Sequence, residues 1–201
     1  MQGVFRKARL MRLGIVASAV LTSACSTTLA TTGLHTARCL PAPSSLDSPP
    51  GRKWLRSNEW RFASRTEAEQ AYARLANDSS PWPDWYAPYR TELKPGTRFQ
   101  MAIGGSQTEQ MPGGFGTFDD IRNVKEVRMK LAVRSDWKPI VDRAVTYEVV
   151  KPLPVLIGPI GAQVDPGTCR LLTGRWSQFS MQVEPAARMQ YLKVIAVRPI
   201  H

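Results

Sequence analysis

Val145-Thr146-Tyr147-Glu148-Val149-Val150, then Lys151-Pro152, then Leu153-Pro154-Val155-Leu156-Ile157 is the stretch that decides the fold. Both halves are rich in β-branched and aromatic residues, which suit a pleated, half-buried surface, and they read as two strands. The same composition recurs in Arg175–Val183 (RWSQFSMQV) and Tyr191–Val197 (YLKVIAV), and Arg98–Ile103 follows the turn Lys94-Pro95-Gly96-Thr97 as a short extended segment. Val127, Met129, Leu131 and Val133 alternate with Arg128, Lys130, Ala132 and Arg134, and this period of two predicts a further half-buried strand with a basic face. One helix is well signalled. Ser64-Arg65-Thr66-Glu67 is a capping box, with Ala68, Ala71, Tyr72 and Leu75 behind it at helical spacing, and the helix should end near Asn77. The segment from Asp78 to Tyr89 holds Pro81, Pro83 and Pro88 with Trp82 and Trp85, too irregular for a regular element and too apolar to float, so it reads as a packed loop. Loops 104–120 and 158–174 are long enough to carry function or disorder. The fold class is α+β and strand-rich, with one clear helix near the N-terminus of the domain.

The chain has 201 residues, room for one core and appendages. Residues 1–25 combine a basic start, the apolar run Leu13–Leu21 and small residues before Cys25, the order of a secretory signal peptide. The run is too short to span a membrane. Thr22-Ser23-Ala24-Cys25 resembles a bacterial lipobox, which makes Cys25 a lipidation candidate; cleavage after Ala24 or Ala30 is the alternative. Either way the domain is exported, to the periplasm, to the outer membrane as a lipoprotein, or outside the cell. Any membrane attachment comes through the lipid on Cys25. With Cys25 lipidated or removed, Cys39 and Cys169 remain as an even pair in an oxidising compartment, and a disulfide between them is predicted. Residues 26–51, rich in Ser, Thr, Pro and Ala, read as a flexible leader, with the globular domain over 52–201.

Lys and Arg number 27 against 16 Asp and Glu, and without Arg6, Lys7, Arg9 and Arg12 the balance is 23 against 16, or +7. That charge is dispersed and export removes the usual substrate, which disfavours nucleic acid as a partner. The two histidines, His35 and His201, leave a hydrolase triad without a well-placed base. No His-Glu-x-x-His, paired Cys-x-x-Cys or carboxylate loop calls for a metal. Gly104-Gly105 and Gly113-Gly114-Phe115-Gly116 lack the Gly-Lys-Ser/Thr of a phosphate loop. The basic face of Val127–Arg134 reads either as a phosphate-binding surface or as a solvated outer face. Alternation in Arg175–Val183 sets Trp176, Gln178, Ser180 and Gln182 against Phe179, Met181 and Val183, so Gln178 belongs either to a cleft wall or to a polar surface strand.

The stretch from Trp82 to Ile195 resembles the tuberculosis necrotizing toxin (TNT) family of NAD glycohydrolases, as a divergent member. Trp82-Pro83 and Thr91-Glu92-Leu93-Lys94-Pro95-Gly96-Thr97 are similar to the family's entry segment, Gly113-Gly114-Phe115 to its Gly-aromatic loop, and Arg128-Met129-Lys130-Leu131 to its Arg-x-Leu strand. Tyr147–Val155 with Gly158-Pro159-Ile160 is the closest passage, and Gly174–Gln178 falls where the family places a Gly-rich turn and its functional Gln. The chain departs from the pattern at Met101, where the family has an Arg. Arg98 lies three positions earlier and is expected to keep the same side only if no bulge intervenes.

The resemblance implies an ADP-ribosyltransferase-related sheet pair with a cleft for NAD or NADP as substrate and no further cofactor. Gln178 would be the catalytic residue, orienting ribose or water, with Arg128 on phosphate, Phe115 on nicotinamide, and Arg98 and Trp176 as further substrate contacts. A toxin-like domain of this kind also implies an inhibitor protein as partner. Two rival readings stand beside the glycohydrolase: a non-catalytic exported binding module that kept the fold, and a protein ADP-ribosyltransferase using Glu148 or Glu184.

Overall fold

The computed structural model describes residues 39–78 and 80–201. The signal peptide, Cys25 and the first part of the leader lie outside the described residues. Nine strands among the described residues, all paired antiparallel, carry the fold: β1 (Tyr89–Leu93), β2 (Arg98–Ile103), β3 (Phe115–Gly116), β4 (Arg143–Val149), β5 (Leu153–Pro159), β6 (Gln163–Asp165), β7 (Arg170–Leu172), β8 (Ser177–Met181) and β9 (Leu192–Pro199). One sheet runs β1-β5-β8-β3, a second runs β2-β4-β9, and β6 pairs with β7 alone. The strand-rich α+β class expected from the sequence is the one observed.

Alternation puts one face of each sheet into a common core. Phe99, Met101 and Ile103 of β2, Val145, Tyr147 and Val149 of β4, Leu153 and Val155 of β5, and Phe179 and Met181 of β8 form a single buried cluster. Each large side chain there contributes about 1.5–3 kcal/mol through its removal from water. Phe99 stacks on Tyr147 with ring centroids 5.6 Å apart and meets Phe179 edge-on at 4.9 Å, so the aromatics link one sheet to the other. The Tyr147 hydroxyl donates to the Glu109 carbonyl at 2.8 Å and pins the loop after β2 to the core; burial pushes that phenol up to about 12.

The sheets also join through backbone. Just beyond β3, the Gln100 N–H donates to the Thr117 carbonyl at 2.8 Å and the Thr117 N–H donates to the Gln100 carbonyl at 3.0 Å. This bridge requires β3 to pass against the aromatic core. At Gly116 a Cβ would come within 2.4 Å of Phe179 Cζ and 2.8 Å of Phe99 Cδ2, so only a glycine fits.

The described residues hold three α-helices where the sequence predicts one: α1 (Pro49–Asn58), α2 (Arg65–Asn77) and α3 (Val124–Met129). In α2 the predicted cap forms, with Ser64 Oγ accepting from the Glu67 N–H at 3.2 Å, while the Glu67 carboxylate accepts from the Ala63 N–H at 3.0 Å, one residue before the cap. The flexible-leader reading of 26–51 is corrected from Cys39 onward. Leu46 and Ser48 are buried, Ser48 caps α1 through the Gly51 N–H at 3.1 Å, and the Tyr72 hydroxyl donates to the Pro43 carbonyl at 2.7 Å. Pro49 at the first helical turn lacks only an N–H that a helix start leaves unpaired. The disulfide forms as predicted between Cys39 and Cys169, with Cα atoms 5.4 Å apart, and ties this N-terminal segment to the turn after β6.

The basic strand expected over Val127–Arg134 is also corrected, because Val127 to Met129 end α3 and the residues after them form no strand. Asn123 caps the helix by accepting from the Glu126 N–H at 2.9 Å, and Glu126 returns an oxygen to the Arg122 N–H at 3.0 Å. This is a capping box built on Asn. Val124 and Val127 share a helical face, and Leu131, just past the helix end, packs into the same cluster, so the apolar spacing fits a helix as well as a strand over a window this short.

Gly116→Ala should lower stability by about 1–3 kcal/mol or more through overpacking. Gly113→Ala, where a Cβ would meet nothing within 4 Å, should be near neutral, as read by urea unfolding of the two variants.

Candidate active site

A cavity of about 340 Å³ lies on the outer face of β2, away from the aromatic core. Gln100 and Ala102 of β2 form its floor, Gly113 to Thr117 one wall, Leu131, Val133, Trp137 and Lys138 the opposite wall, and Gln178 of β8 its inner end. The strand parity read from the sequence explains the placement: Phe179 and Met181 point into the core, so Gln178 points out of it, into the cavity.

Gln178 is only 8% exposed, and its Nε2 is buried without a hydrogen-bond partner. A buried amide donor left unpaired costs about 1–3 kcal/mol, which makes it a group with binding energy to give to a ligand oxygen. Phe115 stands half exposed on the adjacent wall. Both residues singled out for the catalytic and nicotinamide contacts therefore meet at one cavity.

A hydrogen-bonded clamp holds these walls together. Asp119 Oδ2 accepts from the Ser177 N–H and Ser177 Oγ, each at 2.7 Å, and from Thr117 Oγ1 at 3.2 Å, while the Phe118 N–H donates to Ser177 Oγ at 3.0 Å. The clamp fixes the residue before Gln178 to the residues after Phe115. Gln100 is held too, donating to Asp120 at 3.0 Å and accepting from the Ile121 N–H at 2.8 Å. Asp119 carries no sequence signal for this role, because its partner Ser177 lies 58 positions away and only strand pairing brings them together.

The other predicted site residues stand elsewhere. Arg128 is not among the cavity-lining residues: its guanidinium donates to the carbonyls of Val133 at 3.2 Å, Arg134 at 3.1 Å and Pro139 at 3.0 Å. It shapes the loop that carries Val133, Trp137 and Lys138 into the cavity. Burial lowers the Arg128 guanidinium from its ordinary value, an effect Asp165 opposes. Arg98 is 64% exposed and pairs with Glu148 at 2.8 Å. The expectation that Arg98 keeps the side of Met101 when no bulge intervenes is corrected: the β2–β4 register is unbroken, yet three positions along a strand put Arg98 on the exposed face and Met101 in the core. Trp176 packs against Ile121, Val127, Ala132 and Ile160 as part of the interior. Glu148 and Glu184 do not line the cavity either.

Lys138 is the cavity residue that sequence reasoning missed. Its Nζ donates to the Ala102 carbonyl at 3.2 Å and to Gln107 Oε1 at 2.5 Å. Burial, and after it the nearby charge of Arg128, pull its pKa below the ordinary lysine value, with Asp142 opposing. A lone lysine in a turn (Ser135-Asp136-Trp137-Lys138-Pro139) has no pattern that would single it out.

No family model matches the chain, and no curated protein does. Among solved structures, Tne2 in complex with Tni2 is similar at 19% identity over 59% of this chain and 97% of that one, with a TM-score of 0.49. Rhs1-CT in complex with its cognate immunity protein RhsI1 is similar at 16% identity over 57% and 81%, with a TM-score of 0.34. Likeness at that level does not bear on activity. Among the described residues no helix is long and apolar enough to cross a membrane, and no group of three or more His, Cys, Asp or Glu is placed to hold a metal.

Asp119→Ala and Ser177→Ala should each destabilise the domain by about 1–3 kcal/mol. The double variant should fall short of their sum by about 0.5–3 kcal/mol, as residues sharing one network do. Strict additivity in a urea-unfolding double-mutant cycle would show that these residues do not act as a clamp.

Proposed function

We propose that this chain is an exported, toxin-like NAD(P) glycohydrolase, a divergent relative of the TNT family, that hydrolyses the nicotinamide–ribose bond at the Gln178 cavity. The observation that carries the reading is the meeting of Gln178 and Phe115 at one cavity, with the Gln178 amide nitrogen buried and unpartnered. The cavity's volume of about 340 Å³ suits the nicotinamide-ribose half of a dinucleotide, with the remainder lying over the rim.

In this reaction the bond between the ribose C1′ and the nicotinamide nitrogen breaks with its electron pair going to the ring nitrogen, which becomes neutral. Water adds to C1′ and releases one proton, leaving ADP-ribose or its 2′-phosphate. The developing positive charge sits on the ribose, so the protein's task is orientation and placement of dipoles. Gln178 is the catalytic residue: Nε2 donates to a ribose hydroxyl while the amide oxygen is available to the attacking water. Phe115 offers a ring face to the nicotinamide, with Gln100 on the floor and Thr117 on the same wall as Phe115. A signal peptide, lipidation at Cys25 and a cognate inhibitor protein belong to the same proposal; the disulfide between Cys39 and Cys169, a mark of an oxidising compartment, supports the export part of it.

A second reading, a binding module without turnover, is favoured by two observations: Met101 is buried where the family has an Arg, and Arg128 is engaged by three carbonyls.

Residues 26–201, produced with the disulfide formed, should release nicotinamide from NAD or NADP. Gln178→Ala should lower kcat about 100-fold or more, the scale seen when one charge-stabilising donor is removed. Absence of release from the folded protein would leave the binding module as the reading, and unchanged release by Gln178→Ala would displace the site.

A further inference from the structure

Among the described residues, Lys138 is the one charged side chain that lines the cavity. An ammonium has three N–H donors. Two are taken by the Ala102 carbonyl and Gln107 Oε1, which fix Nζ against β2 and leave a third donor. Among the described residues neither Lys138 nor Arg128 joins an ion pair. Two cations that repel each other, one of them half buried at a cavity wall, therefore stand without a paired carboxylate, and Asp142 and Asp165 offset their charge only from beyond ion-pair distance. An arrangement of that kind favours an anion, which would relieve the repulsion and accept a hydrogen bond from the third N–H.

Arg128 cannot fill this role from where it stands. It does not line the cavity, and three of its five donors go to the carbonyls of Val133, Arg134 and Pro139, contacts that hold the loop on which Lys138 is carried. Trp137, next to Lys138, also lines the cavity and stacks against the Arg134 guanidinium at 4.7 Å, which braces the loop from its outer side.

We infer that Lys138 is the phosphate-binding group of this cavity, holding the pyrophosphate of a nucleotide ligand, and that Arg128 is a positioning residue that acts through the 133–139 loop. The inference deepens the dinucleotide reading and rests on it for the identity of the ligand. A phosphate oxygen takes the third Nζ donor while the two protein contacts keep the ammonium in place. The ligand's phosphates then lie between Trp137 and the Gly113-Gly114 wall, with the nicotinamide end toward Gln178.

Inorganic pyrophosphate and nicotinamide riboside, titrated separately by calorimetry into the disulfide-bonded domain, separate the two ends of the site. Lys138→Met should weaken pyrophosphate about 10- to 100-fold, the scale of one charge-assisted hydrogen bond, and leave nicotinamide riboside unchanged; Lys138→Arg should keep most of the pyrophosphate affinity. In turnover, Lys138→Met should raise KM for NAD with little change in kcat. On the unmodified protein, pyrophosphate should slow acylation of Lys138 read by peptide mass spectrometry, which keeps the test open if Lys138→Met does not fold. Equal pyrophosphate affinity in wild type and Lys138→Met, no binding by wild type, or undiminished acylation would each overturn the subsite. Pyrophosphate held through Lys138 without nicotinamide release would retain the subsite and overturn the glycohydrolase, whereas nicotinamide release with an unaltered KM in Lys138→Met would do the reverse.

Discussion

Gly116 is the position on which the rest of the molecule depends. With no side chain there, β3 can lie against the edge-to-face pair of Phe99 and Phe179, and the next residue, Thr117, can exchange both backbone hydrogen bonds with Gln100. That contact joins the β1-β5-β8-β3 sheet to the β2-β4-β9 sheet. It also sets the cavity, because the strand that makes the bridge delivers Phe115 and Thr117 to one wall while the β8 it pairs with delivers Gln178. Core packing and site geometry are thus the same constraint seen from two faces of β2.

Polar interactions hold the cavity where apolar packing does not reach. Asp119 clamps the start of β8 to the end of β3, and Arg128 ties three carbonyls of the facing loop. Buried or half-buried networks of this kind are costly when broken, since each partner left behind loses its hydrogen bond without regaining water. A rigid rim around a buried, unpaired donor, Gln178 Nε2, is the arrangement expected of a site that orients its ligand more than it adapts to it. The disulfide between Cys39 and Cys169 adds a constraint of another sort, closing a loop of 130 residues that would otherwise be free in the unfolded chain.

The strands were legible because their signal is local. VTYEVV, LPVLI and RFQMAI carry β-branched and aromatic residues at period two, and β4, β5 and β2 lie over them. Gln178 was legible for the same reason, since alternation with Phe179 and Met181 put it on the face opposite the core. Val127 to Val133 misled because its first apolar residue also stands at helical spacing from Val124, and the deciding feature was the Asn123 cap three residues before Glu126. The 39–51 segment looked like a leader by composition, yet Leu46 and Ser48 are buried through partners in α1 and α2 that no local pattern records. Lys138 and Asp119 were illegible for a related reason: each matters through residues more than thirty positions away, and only the folded strands place them together.

The central claim is that the ligand enters at Gln178. Side-chain amide signals in a ¹⁵N correlation spectrum, with that of Gln178 assigned by its loss in Gln178→Leu, test it during titration with ADP-ribose. A ligand seated at this cavity should shift the Gln178 side-chain amide saturably, together with the backbone amides of Phe115 and Thr117. Saturable binding that moves other resonances and leaves the Gln178 side chain unchanged would contradict the claim.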